Sequence, residues 1–76
     1  MLLIQQILEY RHSDILLRLI FDRLTDEDVA KLVQQLIETD QLELLKRLSA
    51  SFDPIYWKAR MRKYFFNLFI QITLSE

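Results

Sequence analysis

The chain has 76 residues, 51% of them apolar and 28% charged, with a net charge of −1. That balance suits one small folded domain over 1–76 and excludes a disordered tail. Glycine and cysteine are absent and proline occurs once. Disulfide frameworks, thiolate metal centres, a cysteine nucleophile and glycine-rich phosphate loops are excluded with them, and tight β-turn architectures are disfavoured.

The first apolar run, Leu2-Leu3-Ile4, stops at Gln5-Gln6 and lacks the basic start and cleavage site of a signal peptide. It predicts a helix over 2–11. Ile4-Gln5-Gln6-Ile7-Leu8 has the spacing of groove-docking helices, which any amphipathic helix shares, so it is assigned to the core. Ser13-Asp14 is then placed to cap a helix over 14–24. In it, Ile15, Leu16, Leu17, Leu19, Ile20, Phe21 and Leu24 cover more than half the circumference, which predicts burial on more than one side.

Thr25-Asp26-Glu27-Asp28 is a capping-box pattern with acids at the positive end of the helix dipole. Val29, Leu32, Val33, Leu36 and Ile37 follow at helical spacing, giving a helix over 26–38. Asp40-Gln41-Leu42-Glu43 repeats the start signal for a helix over 41–49, striped by Leu44, Leu45 and Leu48. Asp53-Pro54 caps a last, longer helix over 54–73.

The expected fold is all-α, a compact bundle of four to five short helices with a longer aromatic, basic C-terminal helix. Hairpin-like offsets also suggest a degenerate solenoid repeat, but the halves share too few residues, and the bundle is preferred. The expected core is Ile7, Leu16, Ile20, Leu24, Val29, Leu32, Val33, Leu36, Leu45, Leu48, Trp57, Met61, Phe65 and Leu68.

Charge and aromaticity are unevenly spread. Residues 1–53 hold six basic and ten acidic groups; residues 54–76 hold four basic and one acidic. Seven of the nine aromatics lie between Phe52 and Phe69. On a continuous helix over 54–73, Trp57, Met61, Tyr64, Phe65, Leu68 and Ile72 share one face. Ile55, Ala59, Phe66 and Ile70 fall nearly opposite, with Arg62 beside them. This second side is the candidate protein interface: Ile55, Ala59, Arg62, Phe66 and Ile70. Apolar patches with arginine and aromatic anchors mark binding sites, and a domain this small gains from association.

The chemistry of catalysis is thin. His12, in Arg11-His12-Ser13-Asp14, has neighbours in sequence where a triad needs neighbours in space. Asp26-Glu27-Asp28 lacks the loop and glycine of a calcium site. No enzyme activity, catalytic residue, metal, cofactor or small-molecule substrate is expected. The function expected is a cytoplasmic, non-enzymatic protein–protein interaction module: an adaptor, inhibitor or assembly subunit. Its partner is another protein chain or, in a homodimer, a second copy.

The alternative is nucleic-acid binding by the basic aromatic segment 56–63, through Lys58, Arg60, Arg62 and Lys63 with Tyr56 or Trp57 stacking on bases. It ranks lower. The four charges split between two flanks, and a pI near 5.8 is low for this class. A helix-turn-helix over 14–38 would present three acids to the groove. The basic helix lacks the wholly polar face of a membrane-surface helix. The longest apolar stretch is also too short to span a bilayer, and the chain reads as soluble and complete.

Overall fold

A computed structural model describes residues 2–74. Six helices follow in order: α1 Leu2–Leu8, α2 Ser13–Phe21, α3 Asp26–Glu38, α4 Leu42–Ala50, α5 Pro54–Met61 and α6 Phe66–Leu74. No strand occurs among the described residues. The fold is all-α as expected, with one helix more than the upper expectation, because the C-terminal segment is two helices.

α3 forms where the sequence signals it. The Thr25 hydroxyl accepts from the Asp28 amide at 3.1 Å, and the Asp28 carboxylate accepts from the Thr25 amide at 3.4 Å. At its other end Asp40 takes φ 57°, the left-handed conformation usually given to glycine. The Gln41 amide donates to Leu36 O and the Asp40 amide to Ile37 O, closing a Schellman motif with aspartate in the glycine's place. In α5, Asp53 caps the helix by accepting from the Tyr56 amide at 3.0 Å, and Pro54 occupies the first turn.

Two expected caps do not form. α2 begins at Ser13 with His12 at the N-cap, and α4 begins at Leu42 with Gln41 there; neither makes a side-chain capping bond. Ser13 lies inside its helix, and Asp40 is consumed in ending α3.

The main departure is at residues 62–65. The chain turns there, with the Tyr64 amide donating to Met61 O, and α6 starts afresh. No proline or glycine marks the break. The turn folds α6 back onto α4, its chief neighbour, and seats Phe69 with its ring 4.9 Å from that of Trp57. Packing overrides a local preference for one helix. The helical register is lost across the turn, so Phe69 is buried while Leu68, expected in the core, is 47% exposed.

The core joins Ile4 and Ile7 of α1, Leu17 and Phe21 of α2, and Val29, Val33 and Leu36 of α3. Leu44, Leu45 and Leu48 of α4, Phe52, Trp57, Met61 and Phe69 complete it. Of the expected core, Leu16, Ile20, Leu24, Leu32 and Phe65 pack at its edge and are half-buried. α2 is buried on one side only: Leu17 and Phe21 are inside, while Ile15 and Leu19 face outward. The Cα radius of gyration, 11.5 Å, matches the roughly 11 Å of a compact chain of this length. No helix among the described residues is long and apolar enough to cross a membrane.

Candidate interaction surface

The aromatic cluster anchors the C-terminal half. Phe21 and Phe52 stand 5.1 Å apart, Phe52 stacks on Tyr56 at 4.3 Å, and Trp57 meets Phe21, Phe52 and Tyr56 edge-on. The Trp57 indole N–H donates to Ser49 O at 2.9 Å, so this buried polar atom is satisfied and α5 is tied to the end of α4. These contacts fix the rotation of α5 and decide which residues point out.

Arg60 points inward. Its Nε donates to Asp26 Oδ1 at 2.7 Å and its Nη2 to Leu24 O at 2.6 Å. Its Nη1 donates to Phe21 O at 3.1 Å and to the Tyr56 hydroxyl at 2.7 Å. One guanidinium thus takes up carbonyls at the end of α2 and the acid opening α3, a use that needs arginine's planar fork. Its side chain is 15% exposed. Of the four basic residues singled out for nucleic acid, Arg60 is therefore committed to the fold. Lys58, Arg62 and Lys63 are exposed and make no ion pair with any described residue.

Tyr56 lies under two cations. The Arg18 guanidinium is 5.7 Å from its ring centroid and 5.5 Å from that of Phe52, and Arg60 lies at 5.5 Å. Burial raises the Tyr56 hydroxyl pKa above its ordinary 10.0, with Asp22 adding in the same direction and Arg60 and Arg18 opposing.

The structure divides the expected interface. Ile55, Ala59 and Arg62 stay together on the outer side of α5, opposite Trp57 and Met61, and all three are exposed, Ile55 at 79%. Phe66 and Ile70 are on α6, half-buried and packed against the core. They do not continue the α5 strip, because the register that aligned them ends at the turn.

Concave regions lie elsewhere. A groove of about 590 Å³ runs between α4 and α6, with Trp57, Phe69, Ile70 and Thr73 among its walls. A smaller one of about 250 Å³ follows α2, lined by Asp14, Ile15, Arg18, Leu19, Asp22 and Ser51. Ile15 and Leu19, 57% and 61% exposed, form an outward apolar pair one helical turn apart. Apolar periodicity alone did not reveal this pair, since α2 is apolar nearly all round. No group of three histidine or acidic side chains converges as a metal site among the described residues.

No family model, curated protein or solved structure matches this chain.

Proposed function

We propose that this chain is a cytoplasmic, non-enzymatic protein–protein interaction module that binds its partner through the outer face of α5. The observation that carries it is Ile55, left 79% exposed at the start of a helix whose opposite side is locked into the core. Ala59 follows one turn later and permits close approach of a partner backbone. Lys58 and Arg62 flank the pair as exposed cations that make no ion pair with a described residue. An apolar centre with a charged rim is the anatomy of a protein interface. Commitment of Arg60 to internal carbonyls lowers the charge left for phosphates, which favours protein over nucleic acid as the partner.

A photo-crosslinking side chain at Ala59, expressed in the source cell, tests this. A protein crosslink that Ile55→Glu abolishes, with the helical signal unchanged, is the expected result. Nucleic acid crosslinked in its place, or a protein crosslink indifferent to Ile55→Glu, would overturn it.

A further inference from the structure

We infer that the partner at the α5 face is a second copy of this chain, which receives Ile55 and Ala59 in the groove along its α2. This rests on the proposed role of the α5 face and names the occupant.

The two faces are complementary in charge. Along α2, Ile15 and Leu19 form an exposed apolar pair beside a groove of about 250 Å³. Asp14 and Asp22 border it, and neither carboxylate makes a hydrogen bond or ion pair with a described residue. The groove's one cation, Arg18, is turned onto the Phe52 and Tyr56 rings. On α5, Ile55 and Ala59 form an exposed apolar pair at the same one-turn spacing, flanked by Lys58 and Arg62, which make no ion pair with a described residue. Each face thus carries what the other lacks: an apolar pair bordered by two carboxylates, and one flanked by two cations.

The faces are also placed to be used together. α2 and α5 adjoin within one molecule, through Arg18 over Tyr56 and Arg60 on Phe21 O. A single two-fold axis therefore lets each copy give its α5 and receive its partner's, so the contact forms twice and the assembly closes at two copies. A standard interface covers about 800 Å² per partner, roughly one-seventh of the 5411 Å² exposed here.

Sedimentation of the full chain from about 1 to 500 μM measures the association. The wild type is expected to form dimers in that range. Asp14→Lys with Asp22→Lys places like charges across the contact, as does Lys58→Glu with Arg62→Glu. Each pair of changes should weaken self-association at least about tenfold, since close cross-interface charge pairs couple by more than 1.4 kcal/mol. Mixed one to one, the two variants regain opposite charges at both contacts and should dimerise as the wild type does.

A wild type monomeric throughout overturns the inference, as does a mixture that stays monomeric when each variant alone has lost the dimer. A mass that climbs past two copies refutes the two-fold closure. If the wild type is monomeric while the Ala59 crosslink to another protein depends on Ile55, the inference fails and the module reading stands. If dimers persist in both variants and the Ala59 crosslink ignores Ile55→Glu, both fail. Circular dichroism of each variant, all four positions being exposed, separates loss of pairing from loss of fold.

Discussion

Removing the Arg60 guanidinium should loosen the join between α2, α3 and α5. Arg60→Met keeps the aliphatic stem and deletes four hydrogen bonds. The bond to part-buried Leu24 O, at 2.6 Å, matters most, because Phe21 O still accepts from the Leu24 amide at 3.1 Å. Hydrogen bonds from a charged donor are worth about 1.5–3 kcal/mol each. Asp26 is 54% exposed and regains water, so its ion pair adds at most about 0.5 kcal/mol. A loss of about 3 kcal/mol results, against a total of about 4–11 kcal/mol for a chain this long. With a urea slope near 1 kcal/mol/M, the midpoint should fall by about 3 M. Trp57, the chain's single tryptophan and 2% exposed, reports the transition by fluorescence. Arg62→Met, on an exposed and unpaired neighbour, should stay within about 0.5 kcal/mol of wild type. Arg60→Lys should recover little, because an ammonium cannot fork between carbonyls set apart in space. Equal midpoints for Arg60→Met and Arg62→Met would refute the clamp.

The register break at the turn gives a second contrast: Phe69→Ala should cost about 3–5 kcal/mol, while Leu68→Ala should change stability by under about 0.5 kcal/mol. Thermal melts of the two variants check it, and the reverse order would restore a continuous helix over 54–73. The third concerns pH. Because burial raises the Tyr56 pKa above 10.0, the folded state holds this proton more tightly than the unfolded one. The stability contributed is complete below pH 10 and is lost as pH rises through the folded value. Urea midpoints at pH of about 8, 10 and 11 should fall at the alkaline end for wild type and less steeply for Tyr56→Phe.

What the sequence made legible was local. α3 is bounded as expected, because the Thr25 box and the apolar period act within a few residues of each other. Asp53-Pro54 likewise places the start of α5. What it hid depends on distant partners. Arg60 reads as a surface cation until the carbonyls of Phe21 and Leu24, 39 and 36 residues away, are brought beneath it. Phe52 lies between helices, outside any period, and only the approach of Phe21 and Trp57 makes it core. Ile15 and Leu19 are no less apolar than Leu17 and Phe21. Which side of α2 faces out is decided by the packing of its neighbours and not by the helix itself. For the candidate interface, spacing found the Ile55–Ala59–Arg62 strip because Ile55 and Ala59 share α5 and Arg62, its C-cap, keeps helical dihedrals. Phe66 and Ile70 were assigned to it only through the register that the turn cancels.

That turn sets two levels of preference against each other. Locally, Arg62, Lys63, Tyr64 and Phe65 are all helix-compatible, and Arg62 keeps helical dihedrals, φ −62° and ψ −25°. Globally, a straight run would carry Phe69 off Trp57. In landscape terms this is a frustrated joint, where the local preference and the fold disagree. The opposing quantities are similar in size: about 1.5–3 kcal/mol for burying a phenylalanine, against a few helical hydrogen bonds worth about 1 kcal/mol each. The bend is thus held by a narrow margin that belongs to the packing of α6 on α4 and not to the four residues that form it.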